Sequence, residues 1–164
     1  MNRLLAAALV AIVTLIGAAP AHAAALLNVP IAGPVTALVS QSFQLRAQPG
    51  QSALPASLTL QANFTYGSGG TTADAWVQTS LDGGLTWCDV THFAFTTASA
   101  RSVTSVTSLK SFAQAAPTDG TLAAGNVNDG LFGPMWRVKY TTTGTYAGTS
   151  LRIDAFGNGI TSLP

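Results

Sequence analysis

The chain has 164 residues, 48% of them hydrophobic and only 8% charged, with a net charge of +1. An average globular chain carries about 25% charged residues; this one has no Glu at all. Its cations beyond the N-terminus, Arg46, Arg101, Lys110, Arg137, Lys139 and Arg152, are scattered, which argues against the basic patch that nucleic acid requires. Residues 1–23 read as a secretory signal peptide: Arg3, an apolar run Leu4 to Ile16, and Ala21-His22-Ala23 as a small-x-small cleavage site. That run is shorter than the roughly 20 residues of a membrane span, so only an uncleaved leader would touch a bilayer. Residues 24–164 then form one domain whose six bases and six acids cancel.

Residues 24–34 read as an extended lead-in, with Pro30 and Pro34. Val35 to Ala47 is a first strand region, and Gln48 to Gln51 a turn. Leu58, Leu60, Ala62, Phe64 and Tyr66 alternate with Ser57, Thr59, Gln61, Asn63 and Thr65. Strict period two predicts an antiparallel strand with one wet face. Gly67 to Gly70 follow as a flexible loop. Ala73–Ser80 and Leu85–Phe95 flank Asp82-Gly83-Gly84, whose glycines supply the positive φ of a tight hairpin. On the second arm, alternation places Trp87, Asp89, Thr91, Phe93 and Phe95 on one face, and Cys88, Val90, His92 and Ala94 on the other.

Ser99 to Leu109 is a further strand. Ala115 to Gly133 is loop-like, and a loop of that length in a compact domain is often functional. Met135–Thr142 and Leu151–Ala155 close the sheet, with Thr143 to Gly148 as a turn and Gly157 to Pro164 as a frayed tail. No segment after residue 23 has a sustained helical period. The prediction is an all-β, antiparallel two-sheet sandwich, jelly-roll-like or Ig-like, of about seven or eight strands.

Chemistry-bearing residues are few. Cys88 is the single cysteine, so no disulfide closes within the chain. Cys88 and His92, four apart on a strand, stand roughly 13 Å from each other, too far for a thiolate–imidazole pair. A Ser-His-Asp triad would need His92 with Asp82 or Asp89, but alternation puts Asp89 on the opposite face. With His22 in the leader, one Cys and one remaining His cannot build a zinc site, and no cofactor is expected. Asp119, Asn126, Asn128 and Asp129 offer oxygen ligands for calcium in the long loop, although turn chemistry accounts for them more simply. Trp87 and Trp136 are expected in the core; Tyr146, in a Gly-rich turn, is expected to be exposed. Tyr146, Asn126, Asn128 and Asp129 are the candidate binding residues.

Two resemblances add to this. Ser80-x-Asp82-x-Gly84-x-Thr86-Trp87 resembles the Asp-box hairpin of sialidases, other glycosidases and many unrelated β proteins. In those families the box is a folding element remote from catalysis, so the resemblance implies a hairpin and no activity. The stretches Ala75–Gly84, Phe93–Arg101, Pro117–Leu122 and Trp136–Gly148 are similar to a family of small proteins of tailed phages and prophages. That resemblance implies a virion accessory component, on the capsid surface or around the neck and tail.

The functional expectation is a non-enzymatic protein acting by self-association or by docking on a virion protein such as capsid or tail. It would be located in the virion, or otherwise exported, periplasmic or extracellular. The alternative is an exported carbohydrate- or surface-binding module using Tyr146 and the long loop.

Overall fold

A computed structural model describes residues 23–45, 54–114 and 116–158. The leader before Ala23, the turn at Gln48 to Gln51 and the residues after Asn158 lie outside the described residues. The described chain is all strand and loop: β1 (Ala23–Ile31), β2 (Val35–Val39), β3 (Phe43–Gln44), β4 (Ser57–Thr65), β5 (Ser68–Gly69), β6 (Thr72–Ser80), β7 (Cys88–Phe95), β8 (Ala100–Thr107), β9 (Met135–Thr143), β10 (Tyr146–Ala147) and β11 (Thr149–Asn158). Sheet A runs β1-β11-β4-β8; sheet B runs β2-β9-β6-β7, with β3 also on β9. All the pairings are antiparallel. The two sheets pack face to face as a β-sandwich.

β4 behaves as its alternation predicts: Leu58, Leu60, Ala62 and Phe64 are buried, and their neighbours form the wet face. They meet Val77, Phe93, Trp136 and Val138 from sheet B, and Leu151 and Ile153 from β11. Phe64 stacks on Phe95 at 5.1 Å, which ties the two sheets. Each such side chain contributes roughly 1.5–3 kcal/mol by leaving water, so this interface holds the fold.

Several expectations need correction. The lead-in is a full strand, β1, pairing with β11 from Ala23↔Phe156 to Ile31↔Thr149. Pro30 fits because β1 is an edge strand: its missing N–H faces away from β11. The first strand region splits into β2 and β3, and Leu38 and Val39 are largely exposed. Trp87 is half-buried outside the core, with the Arg137 guanidinium 4.3 Å above its ring. Tyr146 is a core residue at 3% exposure, edge-on to Phe64. Its turn is β10, paired with β5, and Gly70 makes room for the ring. A Cβ on Gly70 would stand 2.1 Å from Tyr146, and Gly70 also has φ near +63°.

β7 begins at Cys88 rather than Leu85 because the Asp-box consumes the preceding residues. The Asp82 carboxylate accepts from Thr86 N–H at 2.9 and 3.1 Å and from Thr86 Oγ1 at 2.6 Å. Ser80 Oγ donates to Asp82 and accepts from Gly84 N–H, each at 2.8 Å. Trp87 Nε1 donates to Gly84 O at 3.0 Å. The Thr86 hydroxyl, then the Thr86 N–H and Ser80, hold the Asp82 carboxyl down at about 2, from an ordinary 3.8. A depressed carboxyl stabilises the hairpin above its unfolded pKa, and that stabilisation is lost as pH falls through the folded value. In a carbon-detected NMR titration, Thr86→Val should move the Asp82 midpoint upward toward 3.8, while wild type titrates near 2.

Candidate functional site

The region with the most chemistry lies on the outer face of sheet B. β6 is buried on both faces from Ala75 onward, and β7 is buried at Asp89 through Phe93. One face is the core. A strap formed by residues 117–130 lies over the other.

A bulge in β7 builds this face. Thr91 pairs with Val77 and Asp89 with Gln78, leaving Val90 as the extra residue. Alternation inverts there, because an added residue moves everything before it to the other side. Asp89 therefore shares the face of His92, contrary to the expectation from spacing, and Cys88 lies opposite Thr79 on the inner side. This is a second reason that Cys88 and His92 do not pair.

Asp89 is fully buried. Its carboxylate accepts from the N–H groups of Gly120, Thr121 and Leu122 at 2.9–3.1 Å, and from Gln78 Nε2 at 2.7 Å. Its own N–H donates to Thr118 O at 2.8 Å. Gln78 Nε2 also reaches Asp119 at 2.7 Å, and Gln78 Oε1 accepts from Arg137 Nε at 2.7 Å. Lys139 Nζ closes on Asp119 at 3.0 Å. Desolvation pushes the Asp119 carboxyl up, but the Gln78 hydrogen bond and the Lys139 and Arg137 charges hold it below the ordinary range. Asp119 is more than half exposed, so its ion pairs contribute on the order of 0–1 kcal/mol. Buried Asp89, with several charge-assisted bonds, is the stronger anchor.

Further along, the strap pairs with β7. Thr91 bridges Val127, Asn128 N–H donates to Val90 O, and Gly125 N–H donates to His92 O. Asn128 Nδ2 donates to Asp89 O at 2.8 Å. Asp129 accepts from Thr107 N–H at 2.9 Å and pairs with Lys110 at 3.3 Å. Chiefly the Thr107 N–H, and also Lys110, lower its carboxyl. Under the strap, Trp76 Nε1 donates to Leu122 O, and the Trp76 ring stacks on His92 at 4.4 Å.

His92 Nε2 lies 3.0 Å from Asp74 Oδ1. A carboxylate can only accept, so Nε2 carries a proton. This diagonal cross-strand pair is the contact that sequence reasoning missed. A period-two count through β7 cannot find it, because the bulge fixes the register. Neither ring nitrogen meets a Ser or Thr hydroxyl among the described residues, and Nδ1 is buried without a partner there. Burial, followed by the Asp82, Asp89 and Asp119 charges, pushes the Cys88 thiol up, which disfavours the thiolate nucleophile. Cys88 instead lines an apolar cleft of about 270 Å³ with Leu81, Phe112, Pro117 and Leu131.

The candidate binding residues are thus divided. Tyr146 is in the core near β5, while Asn126, Asn128 and Asp129 are in the strap beside β7 and β8. Asn128 and Asp129 fasten the strap. Their bonds and those of Asp119 point to different anchors, so the oxygens considered for calcium do not converge. Among the described residues no three of His, Cys, Asp and Glu come together. Comparison with family models, with curated proteins and with solved structures finds no match to this chain.

Proposed function

We propose that the protein is a non-enzymatic assembly component that acts by associating with itself or with a larger particle, most concretely as a virion accessory of a tailed phage or prophage. The observation that carries this reading is how the reactive side chains are used. Asp89, Gln78, Asp119, Arg137 and Lys139 bond to one another and to the strap. They stiffen a surface instead of meeting at an open cleft. Around that scaffold lie exposed apolar side chains, among them Leu81 at 65%, Leu85 at 85% and Leu109 at 72%. A nearly neutral chain supplies little charge repulsion to keep copies apart. The particle-borne role draws on the phage-like stretches described above.

The carbohydrate-binding alternative loses its anchor, because Tyr146 is buried. Two further aromatic rings are already engaged: Trp87 has Arg137 over its ring and Trp76 has His92 against it.

Light scattering on a dilution series tests the proposal. The expected result is a mass above the 16.7 kDa chain that falls on dilution. A dilution-stable monomer that also binds no phage particle would contradict it, as would turnover abolished by His92→Ala.

A further inference from the structure

We propose that the outer edge of β8 is a self-pairing surface, on which a second copy of this chain docks antiparallel about a two-fold axis centred on Val103. This rests on the assembly reading above and names its partner and register.

A sheet edge exposes unpaired N–H and C=O groups, and proteins guard such edges with bulges, prolines, charges, short strands or a covering loop. β1 has a register shift between Ala25 and Leu27, and Pro30 without an N–H. β2 has a shift between Val35 and Leu38, and β3 is two residues long. β7 is covered by the strap. β8 differs: it pairs with β4 in unbroken register from Ser57↔Thr107 to Phe64↔Ala100. It holds no proline or glycine and a single charge, Arg101.

The direction of its free groups follows from its ends. Ser108 N–H donates across to Ala56 O, whereas Thr107 N–H donates to Asp129 on the open side. In an antiparallel ladder this direction alternates. Even-numbered residues of β8 therefore bond β4, and odd-numbered residues point outward. Asp129 occupies the Thr107 position, which leaves Arg101, Val103 and Ser105 with N–H and C=O groups that are open among the described residues.

One two-fold register satisfies all of them. Val103 faces Val103 of the second copy, and Arg101 faces Ser105 at both ends. Odd faces odd throughout, so each pair can exchange both its backbone bonds. Faces are also preserved, because paired residues have the same parity. The exposed Val103 side chains, 53% accessible, meet at the axis as a β-branched cross-strand pair. The two Arg101 side chains stay about 13 Å apart along the strand, so like charges do not oppose one another. The inner-face residues Ala100 and Ser102 are exposed although their partners Phe64 and Ala62 are core. The sandwich stops short there, and a second sheet A would extend over that corner.

The test uses the full chain carrying Cys88→Ser. Val103→Cys in that background places two thiols on a directly opposed pair, where Cα atoms about 5.5 Å apart suit a disulfide. Arg101→Cys is the control, since it faces Ser105 and not itself. The expected result is oxidative dimer formation at least ten-fold faster for Val103→Cys than for Arg101→Cys. Equal rates, or no dimer from either, would overturn the proposal. Separately, Val103→Lys opposes two charges at the axis and should raise the dissociation midpoint in sedimentation at least ten-fold, with an unchanged far-ultraviolet spectrum. Wild-type association that Val103→Lys leaves intact would overturn the β8 register and preserve the assembly reading. A wild-type chain that never associates and binds no phage particle would overturn both.

Discussion

Asp89→Asn should lower the unfolding free energy by about 3 kcal/mol, an effect far beyond that of a surface substitution. The wild-type carboxylate gathers three successive strap N–H groups and the Gln78 amide. An amide offers one acceptor oxygen, and its NH₂ would point among donors. Some of those N–H groups would then lack a partner inside the structure, each at a cost of roughly 1–3 kcal/mol where water cannot reach. Thr121 is exposed, so part of the strap rehydrates; this keeps the total near the low end of the summed range. Urea unfolding measures the loss. Limited proteolysis within 117–130 should accelerate in the same variant, because the strap loses its anchor before the sandwich unfolds. If Asp89→Asn is as stable as wild type and its strap is equally resistant, the clamp is not what holds the strap.

The second large effect is expected at Trp136. It is fully buried, donates from Nε1 to Gly133 O at 2.8 Å, and meets Phe132 edge-on at 5.2 Å. Trp136→Ala removes the largest fully buried side chain and leaves a void in the core between the two sheets, at a cost of about 3–5 kcal/mol. Trp136→Phe keeps most of the volume but orphans the Gly133 carbonyl, and should cost less. Thermal unfolding followed by circular dichroism orders the two. If Trp136→Ala melted with wild type, the core described here would be wrong at its centre.

The two substitutions probe opposite sides of sheet B, and those sides differed in how well they could be read from sequence. β4 was legible because one of its faces meets core and the other meets water, so Leu58 to Thr65 carry both patterns at once. β6 was legible as a strand but not in its burial, because Trp76 and Gln78 lie under a strap contributed by residues some forty positions away. The Asp-box was legible as a hairpin, since Ser80, Asp82 and Thr86 act on one another locally. The shared outer face of Asp89 and His92 was not, because one extra residue at Val90 reverses the face of everything before it. Tyr146 shows a related failure. Neighbouring glycines imply an exposed turn, but Gly70 is there to admit the ring. Residues 24–34 read only as an extended lead-in, yet most of them form β1, where on an edge the missing N–H of Pro30 costs no ladder bond. Candidate sites suffered more than the fold did, since pairing and covering are tertiary facts.

Guarding of edges was equally hidden. The run Ala100 to Thr107 reads as an ordinary Ser/Thr/Val strand, and only the sheet order places it outermost. Once there, its lack of bulge or proline becomes the most exposed chemistry of the backbone. A role in assembly and an unguarded edge then belong to the same account.

Amide hydrogen exchange at Val103 probes that account most directly, read at high and low protein concentration. Self-pairing at β8 predicts that the Val103 amide is protected when concentrated and exchanges freely when dilute, while the β4-bonded amide of Thr104 is protected in both. Free exchange at Val103 at every concentration, in a sample that is nonetheless associated, would contradict it.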